Sequence, residues 1–105
     1  MPTFEHDGIR VEIDEDGFIA QPECWNEAVA AAFASADGIA GLTDDHWKVM
    51  KYLRDYHAQF GVAPMVRKLC KETGFSLQQI YQLFPKGPAR GACKVAGLPK
   101  PTGCV

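Results

Sequence analysis

The chain has 105 residues, 47% of them hydrophobic and 23% charged, with a formal net charge of -2. This composition excludes a disordered chain and bounds the molecule at one domain with a single modest core. No apolar run approaches the ~18 residues of a membrane span, and Met1-Pro-Thr-Phe-Glu-His-Asp7 has neither the basic nor the apolar stretch of a secretory leader. The expected compartment is therefore the cytoplasm, where four cysteines point to buried, metal-bound or redox-active thiols rather than a disulfide framework.

Residues Phe4 to His6 and Ile9 to Ile13 alternate apolar and polar around Asp7-Gly8, which predicts a hairpin. A second turn at Asp14-Glu-Asp-Gly17 and a short strand at Phe18-Ile19 complete an expected antiparallel β-meander over about residues 3-19. The acidic turn lacks the alternating ligand spacing and distal Glu of a calcium loop, so a solvated turn is favoured. After Pro22, Trp25, Val29, Phe33 and Ala36 recur at helical spacing over 23-36, ending near Asp37-Gly38. Thr43 can cap a second helix whose stripe Val49, Leu53, Tyr56 and Phe60 is expected in the core, with Gly61 as its stop. Pro64 suits the start of a third helix that runs to Thr73-Gly74 and buries Val66, Leu69 and Cys70. Ser76-Leu-Gln-Gln79 is a capping box for a fourth. Lys86-Gly87-Pro88 reads as a hinge, and Ala89 to Val95 is long enough for one or two further turns.

The expected fold is α+β and mostly helical: the meander packed on about five helices over 23-95, a single globular domain at 1-95, and a mobile arm at 96-105. The arm carries Gly97, Pro99, Pro101 and Gly103, which disfavour helix and packed core, so Cys104 near its end is expected to be exposed. Cys93 lies eleven positions upstream, where the arm begins. Two thiols so placed suit a chemistry in which one carries or attacks and the other resolves the product. From Gly97 an extended chain carries Cys104 ~25 Å outward, and folded back it can approach Cys93 to the ~7 Å between α-carbons that a bridge needs.

Charge is unevenly divided. Residues 1-84 hold all 13 acids against seven bases, a net of -6, whereas Lys86, Arg90, Lys94 and Lys100 follow with no acid. A solvated basic tail is the plain explanation. The sharper one is that these four charges favour thiolate at Cys93 and Cys104 and steer the arm to an anionic partner.

Met65 to Phe84 has the form of a helix-turn-helix, but its second helix offers three glutamines and no base, on an acidic body. Electrostatics argue against duplex DNA, although Arg67, Lys68 and Lys71 could touch phosphates. No two cysteines stand two to four residues apart, no histidine has a ligand partner, and His46 and His57 are ~16 Å apart along one helix. Cys24 and Cys70 are expected to be packed small hydrophobes. With no histidine or carboxylate side chain in the tail, the arm is expected to complete its site inside another protein.

Gly91-Ala-Cys93-Lys-Val-Ala-Gly-Leu-Pro-Lys-Pro-Thr-Gly-Cys104-Val105, Ala63-Pro-Met-Val-Arg67 and Tyr81-x-Leu-Phe-Pro85 resemble the DsrC/TusE family, on its DsrC side, over essentially the whole chain. The resemblance implies a sulfur carrier that is non-catalytic alone, a co-substrate serving as gamma subunit of dissimilatory sulfite reductase. It implies that Cys104 enters the catalytic α and β subunits, whose siroheme and iron-sulfur clusters supply the redox chemistry, and accepts sulfur from sulfite reduction. Cys93 would then join it in a trisulfide, reduced afterwards by a membrane-bound thiol-disulfide reductase complex. In sulfur oxidisers the flow is thought to reverse, with cytoplasmic sulfur-relay proteins as donors. TusE proteins, which pass persulfide towards tRNA thiolation, share the last cysteine and lack the upstream one, so Cys93 separates the two readings. A helix-turn-helix regulator is the remaining alternative. The resemblance gives the chain no cofactor or metal of its own and no insertion into a membrane, and leaves Lys86, Arg90, Lys94 and Lys100 as candidate docking residues.

Overall fold

The computed structural model describes residues 2-99. Strands β1 (Thr3–His6) and β2 (Ile9–Glu12) pair antiparallel, with Phe4 opposite Val11 and His6 opposite Ile9. Asp7 at φ 52° and Gly8 at φ 82° both occupy the left-handed region that a tight two-residue hairpin turn demands. The expected third strand is a correction: Phe18-Ile19 contributes one bridge, Ile13 to Ile19. Asp14 explains why, since its Oδ1 accepts from the N–H groups of Asp16 (2.9 Å) and Phe18 (3.0 Å) and curls the chain. Phe18 and Ile19 are also buried in succession, whereas neighbours on a strand point to opposite faces. The meander is thus a hairpin with a single bridge beside it.

The helix expected from residue 23 is split. A 3-10 turn, Pro22–Cys24, comes first, and α1 (Glu27–Ala36) starts where Asn26 accepts the Val29 N–H at 2.9 Å. Helix α2 (Asp44–Phe60) begins after Thr43 and ends at Gly61, φ 76°. His46 helps to close its start: Nδ1 accepts the Thr43 N–H at 3.1 Å, which leaves Nε2–H to donate to the Leu83 carbonyl at 2.8 Å. Helices α3 (Val66–Thr73) and α4 (Leu77–Leu83) follow, the latter capped reciprocally by Ser76 and Gln79. A π-helix, Pro88–Cys93, closes the helical array.

The core is one cluster that includes Phe18, Phe33, Met50, Leu53, Ile80 and Phe84. The hairpin joins it through Phe4, whose ring lies 4.7 Å from that of Phe33. Phe60 departs from its expected burial: it is 55% exposed on the last turn of α2 and stacks on Tyr56 at 4.5 Å instead.

Candidate functional site

The segment from Phe84 to Leu98 carries the first of the two expected reactive thiols, and it is packed throughout its second half. Ala92, Cys93, Val95, Ala96 and Leu98 are all 4% exposed or less. Gly91 permits that packing, because a Cβ there would lie 3.1 Å from the Cβ of Phe84. Of the residues that open the expected arm, Ala96, Gly97 and Leu98 are buried and Pro99 is exposed.

The turn that follows the π-helix ends in a defined way. The Gly97 N–H donates to the Lys94 carbonyl at 3.0 Å and the Leu98 N–H to the Cys93 carbonyl at 3.1 Å, with Gly97 left-handed at φ 76°. This is a Schellman ending, and it needs glycine twice over: a Cβ at Gly97 would stand 2.2 Å from the Trp25 ring. The two carbonyls left over are taken by side chains. Trp25 Nε1 donates to the Val95 carbonyl at 2.9 Å, and Arg54 Nη1 to the Ala96 carbonyl at 2.7 Å. The Arg54 guanidinium also lies over the Trp25 ring, 3.9 Å from its centroid, and burial draws its pKa below the usual value, with Asp55 opposing.

Cys93 is 2% exposed, and burial pushes its thiol up to about 12. At Cys93 the thiol is thus favoured over the thiolate, by desolvation, against the expectation that nearby cations favour the thiolate. Lys94 does not serve the thiol either. Its Nζ binds Asp37 Oδ1 at 2.6 Å, and Lys86 reaches the same oxygen at 3.5 Å. The Asp37 side chain is 3% exposed and its Oδ2 is buried without a partner. Arg90 is exposed and has no ion pair among the described residues. Cys104 and Lys100 lie outside the described residues.

Cys24 was expected to be packed and is exposed instead, on the 3-10 turn, its Sγ donating to Gln21 Oε1 at 3.4 Å. Cys70 is half-buried on α3. In the helix-turn-helix unit all three glutamines of α4 are exposed, yet Gln79 Oε1 is occupied by the Ser76 N–H at 2.8 Å, leaving Gln78 and Gln82. Arg67, Lys68 and Lys71 line a groove on α3 with Met65 and Val66. Among the described residues no group of three or more His, Cys, Asp or Glu is placed to hold a metal ion, and no helix is long and apolar enough to cross a membrane. Trp25 and Asp37 are read from sequence only as helix residues and Arg54 not at all, yet all three surround the turn that follows Cys93. Their partners lie 70, 57 and 42 positions away, so no local pattern announces them.

The family model described as DsrC like protein matches residues 5–105. The chain is 47% identical over 105 residues to the gamma subunit of dissimilatory-type sulfite reductase from Nitratidesulfovibrio vulgaris, with all of both chains covered. It is 40% identical over 113 residues to the sulfurtransferase TusE of Escherichia coli O6:H1, again with both covered in full. Among solved structures it resembles the oxidised gamma subunit of the dissimilatory sulfite reductase (DsrC) from Archaeoglobus fulgidus, with a TM-score of 0.83 and 49% identity over 99% of this chain and 100% of that one. A chain in the crystal structure of dissimilatory sulfite reductase I is similar at a TM-score of 0.89 and 48% identity over the same shares. With the family model matched almost end to end, a buried Cys93 at the root of the C-terminal segment and relatives alike over their full length, the chain belongs to the DsrC-like family.

Proposed function

We propose that the chain is a cytoplasmic sulfur carrier and the gamma subunit of a dissimilatory sulfite reductase, non-catalytic alone, with Cys104 as the sulfur acceptor and Cys93 as the resolving thiol. The observation that carries this reading is the place of Cys93: it ends the π-helix, its carbonyl is bonded to Leu98, and Cys104 follows eleven residues later. A thiol held near 12 is protonated at neutral pH and a poor attacker, which supports an order in which sulfur arrives on Cys104 first.

Sulfite sulfur takes up four electrons to become the central atom of a Cys93–S–Cys104 trisulfide, two from the chain's own thiols and two from the siroheme and iron-sulfur centres of the α and β subunits. The three sulfite oxygens leave as water. A membrane-bound thiol-disulfide reductase complex then supplies four electrons and four protons, releasing sulfide and restoring both thiols. Running in the other direction, cytoplasmic sulfur-relay proteins would load Cys104.

The full-length likeness to TusE supports a second reading, a persulfide relay towards tRNA thiolation. Mass spectrometry after turnover with sulfite and the catalytic subunits separates them. Under the first reading one added sulfur bridges Cys93 and Cys104, Cys104→Ser abolishes loading, and Cys93→Ala leaves the sulfur stranded on Cys104. Loading and delivery at the normal rate by Cys93→Ala favours the relay; undiminished loading of Cys104→Ser overturns both.

A further inference from the structure

We infer that Trp25 and Arg54 are positioning residues that fix the point and direction in which the C-terminal segment leaves the body, relative to Cys93. The inference rests on the proposed pairing of Cys93 with Cys104 and assigns a role to two side chains outside that pair.

A helix leaves its last carbonyls without intrahelical donors, and a last turn whose carbonyls depend on water frays readily. Here every one of them is accounted for. The Cys93 carbonyl takes the Leu98 N–H, Lys94 takes Gly97, Val95 takes the Trp25 indole, and Ala96 takes the Arg54 guanidinium. The two side-chain donors come from separate elements, the 3-10 turn region and α2, so they tie the helix end to the rest of the fold rather than to itself. A cation at a helix C-terminus is favoured by the dipole as well. Arg54 stacked on Trp25 holds the indole in place, and Gly97 lets that indole sit against the backbone.

This cap determines the tether. With the turn closed, the last residue the cap holds is Leu98, six positions before Cys104; with the turn frayed back, it is Lys94, ten positions before. Extended reach rises from ~20 Å to ~35 Å, and the effective concentration of Cys104 at Cys93 falls about two- to fivefold.

The test is the equilibrium between the full-length reduced chain and oxidised glutathione. The Cys93 and Cys104 thiols each give up a hydrogen atom, a sulfur-sulfur bond forms between them, and oxidised glutathione leaves as two thiols, so the constant measures effective concentration directly. Arg54→Met removes the donor at similar length and is expected to lower it about two- to fivefold. Trp25→Phe keeps a ring, loses the N–H and gives the same reading should Arg54→Met fail to fold. Ile80→Val, a core change on α4 that removes neither of the two side-chain donors, lowers stability in urea and leaves the constant unchanged. An unchanged constant in the folded clamp variants, or an equal fall in Ile80→Val, overturns the inference. If the wild-type chain forms no Cys93–Cys104 bridge, the proposed function fails instead, and the two failures are distinguishable.

Discussion

At neutral pH the Cys93 sulfur keeps its proton because no solvent reaches it, and this has a measurable cost in alkali. An unfolded cysteine loses its proton near 9 and the folded Cys93 only near 12. The group therefore contributes fully below pH 9, and its contribution is lost as pH rises from 9 towards 12, by about 1.4 kcal/mol per unit. Urea unfolding at pH 8 and pH 10.5 should show wild type losing about 2 kcal/mol more than Cys93→Ala over that interval. Equal losses in the two proteins would mean that the thiol is not desolvated as described. Cys24 offers the contrast within one molecule: exposed on its 3-10 turn, it is expected to take up iodoacetamide before Cys70 and Cys93, the other two described thiols.

At the scale of elements, the junction of α1 with the π-helix depends on a single carboxylate. Asp37 closes the C-terminus of α1, where the helix dipole disfavours negative charge, and it is buried there only because Lys94 and Lys86 meet it. Asp37→Ala leaves Lys94, 14% exposed, without its partner and is expected to destabilise the fold by about 3 kcal/mol, read from the urea midpoint. Elements whose determinants are local could be read in the sequence. The Asp7-Gly8 hairpin, the Thr43 and Ser76 caps and the Gly61 and Gly74 stops all depend on residues within four positions of one another. What could not be read depends on distance. Phe18-Ile19 looked like a strand because β-propensity says nothing of Asp14 curling the turn, and Lys94 looked free because its acid lies 57 residues earlier. Proline and glycine suggested a loose chain from residue 96, yet Gly97 serves close packing against Trp25.

For the whole molecule, these ion pairs redistribute the charge available to a partner. Of the three described cations after residue 84, Lys94 and Lys86 are engaged with Asp37, which leaves Arg90 exposed on the π-helix; Lys100 lies outside the described residues. Association with the proposed sulfite reductase subunits should therefore weaken on Arg90→Glu or Lys100→Glu, with a shallower dependence on salt. Lys94→Gln should leave the salt dependence intact and act on stability instead. Binding titrations at several ionic strengths check this, and a salt response lost on Lys94→Gln but kept on Arg90→Glu would reverse the assignment.

The placement of Trp25 has a practical outcome. Its indole touches Gly97, bonds the Val95 carbonyl, lies under a guanidinium and meets Trp47 edge-on at 6.5 Å. Indole emission responds to each of those neighbours, so the protein carries an intrinsic optical reporter beside the turn that follows Cys93. Strain applied to that turn by a captor can be followed as a change in fluorescence, with no dye attached.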